Sequence, residues 1–159
     1  MSQLSAAQDQ DANFNVINYP LPFKASKSMT FAGGTLNDPG DFDGTGNPAT
    51  LFTVTGDVVI YLTAVCKTTL VGAATLEIGV TNATASILPQ ITDATTLAVN
   101  EFYWDATPTL AEANTPQFHG IGGGLDIIQT LGTTNVTAGK INYACFWMPV
   151  SDDGDVVAA

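Results

Sequence analysis

Any chemistry in this chain would have to begin at His119, its one histidine. It stands in Thr-Pro-Gln-Phe-His-Gly-Ile-Gly-Gly-Gly, where it could act as general base for a serine or cysteine that the fold brings near. No Gly-x-Ser-x-Gly elbow accompanies it. Cys66 and Cys145 lie inside apolar runs (TAVCK, YACFW), whereas a reactive thiol needs exposure and positive surroundings. They read as buried free thiols, with a single disulfide as the other reading. Paired Cys or His spacings of a structural zinc site are missing. The expectation is a chain that is not an enzyme and carries no cofactor, with His119 as a loop residue bonded to backbone.

Oxygen ligands gather in one place, Asn37-Asp38-Pro39-Gly40-Asp41-Phe42-Asp43-Gly44-Thr45-Gly46-Asn47. Asp38, Asp41 and Asp43 are candidate calcium ligands, since hard cations take carboxylate and carbonyl oxygens from such loops. Set on the EF-hand pattern, Asp41, Asp43 and Thr45 take the first, third and fifth positions, but Phe52 falls where the bidentate Glu belongs. An exposed Asx/Gly turn is the competing reading. Gly120-Ile121-Gly122-Gly123-Gly124 shares only its glycines with a phosphate loop, because Leu125-Asp126-Ile127-Ile128 continues as a strand and no Lys follows. Phe102, Tyr103, Trp104, Phe146 and Trp147 could offer a stacking platform for carbohydrate. Alternation sends at least half of them inward, with Trp104 and one of Phe146 and Trp147 assigned to the core.

At 159 residues the chain suits one domain. It is 45% hydrophobic and only 12% charged, about half the usual charged fraction, so its surface is built largely from Thr, Ser, Asn, Gln and Gly. The four basic residues are all Lys, and with fifteen acids the net charge is −11. A chain with no Arg and so few cations cannot neutralise a phosphate backbone, which excludes nucleic acid as partner. No run approaches the ~20 apolar residues of a membrane helix, and Met1 to Ala12 has neither a basic nor an apolar leader region. No membrane partner is expected.

The elements that must position these residues are strands. Period-two patterns run through Thr50 to Thr55, Asp57 to Lys67, Thr75 to Thr81, Ala85 to Leu88, Glu101 to Asp105, Leu125 to Leu131 and Lys140 to Met148. In Asp57 to Lys67 both faces are apolar, which suits a central strand covered by the opposite sheet and by a further surface. Abundant Thr and 15 Gly disfavour helix, and Thr107 to Asn114 is the one plausible helical turn. The expected fold is all-β: an antiparallel, jelly-roll-like sandwich over residues 14–150, with at most one short helix. Residues 1–13 form an expected flexible, extended N-terminal arm and 151–159 a loose acidic tail.

The run from Phe52 to Asp105 contains a strand ending in Thr-Gly, a long apolar strand, Ala-Thr-Leu-Glu-Ile-Gly-Val and then Tyr-Trp-Asp. In this it resembles small virion structural proteins of tailed bacteriophages, in particular capsid decoration (cement) proteins. The resemblance implies a structural protein on the capsid exterior, made in the host cytoplasm. Its implied partners are the major capsid protein and itself, as a homotrimer. Another virion part (tail tube, head-completion or fibre domain) and a carbohydrate-binding sandwich module are the alternatives.

Overall fold

A computed structural model describes residues 21–34, 37–111 and 117–159. The expected N-terminal arm, residues 1–13, lies outside them. Among the described residues nine strands follow one another: β1 Phe23–Phe31, β2 Ala49–Thr55, β3 Val58–Val71, β4 Thr75–Val80, β5 Ala83–Ile91, β6 His119–Ile121, β7 Ile127–Gly132, β8 Ala138–Pro149 and β9 Asp155–Ala158. They form a four-stranded sheet, β1-β8-β3-β6, and a five-stranded sheet, β5-β4-β7-β2-β9. All pairings are antiparallel. The chain changes sheet at every step except the β4–β5 hairpin and so draws the eight-stranded jelly roll, with β9 added beside β2.

Alternation explains why these residues choose these sheets. On β3, Val58, Ile60, Leu62, Ala64 and Cys66 are buried. On β8, Ile141, Tyr143, Cys145 and Trp147 lie opposite them, in the register Ile60↔Trp147, Leu62↔Cys145, Ala64↔Tyr143 and Cys66↔Ile141. From the other sheet Leu76, Ile78, Ile127 and Leu131 complete the core. Each such aliphatic side chain contributes roughly 1.5–3 kcal/mol by leaving water. The buried Tyr143 hydroxyl spans the layers to the Gln129 side chain, so this buried amide has a partner. In β2 both Leu51 and Phe52 are buried, against strict alternation, because a bulge between Thr50 and Phe52 turns two successive side chains inward.

Several expectations are corrected. Residues 151–159 are not a loose tail throughout: Asp155–Ala158 is β9, pairing with β2 from Phe52↔Ala158 to Thr55↔Asp155. Among the described residues the short helical element is a 3-10 turn, Ala94–Thr96, capped by the Asp93 side chain on the Thr95 amide. Of the expected helix, Thr107 to Ala111 forms bends and an isolated bridge between Thr109 and Phe102, and 112–114 fall outside the described residues. Glu101 to Asp105 is no strand either. Phe102 bridges Val65 on the edge of β3, and Tyr103, not Trp104, is the residue that enters the core. His119 stands on β6, paired with Ile60, rather than in a flexible loop.

Candidate functional site

The four-stranded sheet has a charge pattern that its separate strands do not reveal. Lys24 and Lys27 lie on β1, Lys67 on β3 and Lys140 on β8, which are all the basic residues of the chain, and none of these strands nor β6 contains an Asp or Glu. Among the described residues every carboxylate of this acidic chain stands off these four strands, with Glu101 beside the edge of β3, its carbonyl accepting from the Cys66 amide at 3.0 Å. Lys24, Lys67 and Lys140 alternate with inward residues and so face outward, whereas Lys27 reaches the carbonyl of Ala159 at the sheet's side.

The same outer face carries an aromatic group. Tyr61 of β3 is its centre, with ring centroids 5.5 Å from Trp104, 5.9 Å from Phe118 and 6.2 Å from Phe146. Phe102 stacks on Trp104 at 6.0 Å, and the Lys24 ammonium sits 5.7 Å from the Phe146 ring centre, a cation–π geometry. Phe118 is 52% exposed and Met148 37%. Val59, Tyr61, Thr63 and Val65 are half-buried. The second apolar face of β3 is therefore covered in part by the 102–104 segment and left open beside it. Ser26, Ser28, Thr30 and Asn142 line the rest of the face, with Ser28 donating to Asn142 at 2.9 Å.

The residues considered for chemistry are not assembled for it. His119 shares a cleft with Ser86 and Asp105, but among the described residues no hydrogen bond joins any two of them. The Asp105 carboxylate instead accepts from the amide and hydroxyl of Thr107 at 2.7 and 3.0 Å. Burial holds the His119 imidazole below its ordinary pKa. Cys66 and Cys145 are free and buried, and burial pushes the Cys145 thiol up to about 12 and raises that of Cys66.

The acidic loop is part of the structure's wall. Asp41 is buried and Asp43 beside it is exposed; burial first, then the hydrogen bond and charge of Asp43, raise the Asp41 carboxyl above its usual pKa. The Phe42 amide donates to the Asn135 side chain at 3.0 Å, and the Val136 amide donates to the Gly40 carbonyl at 2.8 Å. Asn47 clamps the loop's end, donating to the carbonyls of Phe42 and Leu131 and accepting from the Leu131 amide. Among the described residues no three His, Cys, Asp or Glu side chains are grouped to hold a metal ion, those of Asp38, Asp41 and Asp43 included. Gly123 and Gly124 both take φ of 69°, a left-handed turn that a side chain resists. Their amides donate to Asp57 and to the Gly56 carbonyl, which pins this turn against the β2–β3 corner.

Comparison with protein-family models, curated proteins and solved structures finds no match to the chain.

Proposed function

We propose that this chain is a non-enzymatic decoration protein of a tailed-phage capsid. In this reading it sits on the capsid exterior as a homotrimer and binds neighbouring copies of the major capsid protein through the outer face of its four-stranded sheet. The observation that carries the proposal is the make-up of that face: every lysine of an acidic chain lies on its strands, no carboxylate does, and a partly open aromatic group shares the face at the end where Lys24 stands. Aromatic anchors with a polar rim are what contact faces use, since the rings lose water while the hydroxyl and amide rim loses little on desolvation. The lysines select an acidic partner surface and steer the encounter. The same segregation supports self-association. The lysine-bearing sheet of one copy complements the acidic remainder of the next, and such a head-to-tail contact closes into a ring when its rotation allows. Fold alone carries no function here, because jelly rolls serve capsid and lectin domains alike.

The test mixes the purified chain with undecorated tailed-phage heads and follows cosedimentation, alongside native mass measurement. Wild type should pellet to saturation and weigh three chains. A Lys24→Glu, Lys67→Glu variant with an unchanged melting temperature should bind about tenfold more weakly. Equal binding by that variant would sink the assignment of the face. Six-membered rings or tubes would move the chain to the phage tail instead.

A further inference from the structure

Among the described residues the free edge of β3 is covered in two places and open between them. Val58 to Ile60 pair with β6. Farther along, the Tyr103 amide donates to the Ala64 carbonyl at 2.9 Å and the Cys66 amide to the Glu101 carbonyl at 3.0 Å. Antiparallel alternation points the amide and carbonyl of Leu62 the same way as those of Ala64 and Cys66. Among the described residues no backbone hydrogen bond reaches Leu62 from that side. Trp104 Nε1 is also buried with no hydrogen-bond partner among the described residues. Both residues line one cleft of about 380 Å³, between the edge strands β5 and β6, together with Ser86, Asp105, Gln117 and His119.

His119 faces into this mouth because it pairs with the inward residue Ile60, and directly opposed residues share a face. A second hollow of about 320 Å³ continues beyond Ser86, Ile87 and His119 toward Leu125. His119 therefore divides a groove into two compartments. Polar groups buried without partners cost folding about 1–3 kcal/mol each, and a ligand that satisfies them recovers that loss on binding.

We infer that this groove binds a neutral oligosaccharide, with sugar rings on either side of His119. The compartments together fall in the size range of ligand sites, and Trp104 offers an apolar ring beside unsatisfied donors. No Lys lines either compartment, and the one carboxylate, Asp105, is held by Thr107, so the groove has nothing to attract an anionic ligand. Ser86, Gln117 and a neutral His119 each present both a donor and an acceptor, the pairing that a sugar hydroxyl matches.

The test applies the full chain to an array printed with neutral gluco-, galacto- and N-acetylglucosamine oligosaccharides and with extended peptides, then titrates the best glycan by calorimetry. Binding of a neutral oligosaccharide, weakened about tenfold by His119→Ala and by Trp104→Phe, which keeps a ring and removes the N–H, is the expected result. Both variants are checked for an unchanged melting temperature. If either is unstable, Gln117→Ala, on an exposed residue, takes its place. The Lys24→Glu, Lys67→Glu variant should bind glycan as wild type does, which separates this site from the capsid-binding face. Failure of every glycan, glycan affinity unmoved by the groove variants, or His119-dependent capture of peptides instead would each overturn the inference.

Discussion

Removing one oxygen atom from Tyr103 tests how the groove and the core are held together. Tyr103 is fully buried, and its hydroxyl lies 2.9 Å from the Leu76 carbonyl on β4 and 2.8 Å from the Pro89 carbonyl on β5. One proton thus ties the segment that carries Trp104 to the strand that forms the opposite wall of the groove. Tyr103→Phe keeps the ring and leaves both carbonyls without this donor, which costs about 2 kcal/mol. For a chain of this length each kcal/mol lowers the melting temperature by about 2–4 °C, so a fall of about 4–8 °C is expected at pH near 8.

The pH dependence supplies a second signature. Burial first, and then the charge of Glu77, push the Tyr103 phenol pKa above its usual range. A group whose folded pKa is raised gives stability that is complete below the unfolded pKa and lost as pH rises toward the folded one. With an unfolded value of about 10, wild type loses about 1.4 kcal/mol from this residue by about pH 11, while the phenylalanine ring of the variant cannot titrate. Tyr143, also held above its usual range by burial, is common to both chains and cancels in the difference. Calorimetric melts of wild type and variant should therefore converge between about pH 9 and pH 11. An unchanged melting temperature at about pH 8, or a gap constant across that range, would refute the hydrogen bond and the buried phenol together.

Three further outcomes follow from the same geometry. Leu62→Ala, at a side chain 2% exposed, should destabilise by about 2–5 kcal/mol in urea unfolding, and an unmoved midpoint would place Leu62 outside the core. Asn47→Ala removes two hydrogen bonds that join the acidic loop to Leu131 of β7 and one that closes the loop on the Phe42 carbonyl, for an expected loss of about 2–4 kcal/mol with an unchanged denaturant slope; neutrality would show that the loop is not clamped. Cys66 and Cys145, both free and buried, should resist an aromatic disulfide reagent at about pH 8 until urea is added, and a thiol titrating in the native chain would contradict their burial.

The strands that can be read from the chain are the ones whose pattern is long enough to count. β4 and β8 alternate inward apolar residues with more polar ones, and β3 runs from Val58 to Cys66 with Thr63 as its one aliphatic hydroxyl, so pattern and position agree. β1, β6 and β9 escape such a reading, and all three stand at sheet edges. β1 places Lys27 among its inward positions, since at the edge that side chain escapes to Ala159, and the alternation of FKASKSMTF is lost. β6 and β9 have three and four residues, too short for a period to be counted. Alternation over Glu101 to Asp105 groups Phe102 with Trp104 and points Trp104 inward. In the fold the hydroxyl of Tyr103 decides otherwise: it finds two carbonyls inside, whereas the indole N–H of Trp104 finds none among the described residues.

Nothing in the linear order places Lys24, Lys67 and Lys140, far apart in the chain, on neighbouring strands. The sheet order β1-β8-β3 does so, because the jelly-roll path returns the penultimate strand between the first and the third. The described acids are kept off these strands by the same path, Glu101 coming no nearer than the β3 edge. Asp57, Asp93, Asp105, Asp126, Asp152 and Asp153 occupy turns and loops, which in a sandwich lie at its ends and sides, while Glu77 and Asp155 stand on strands of the other sheet. A contact face can thus arise from residues that are individually ordinary solvent positions, and its signature is their common sheet rather than any motif. It follows that exchanging a single lysine should matter less than reversing two on neighbouring strands. Were Lys24→Glu alone to abolish head binding while Lys67→Glu and Lys140→Glu left it intact, the face would be a point contact around Phe146 and not a field spread over the sheet.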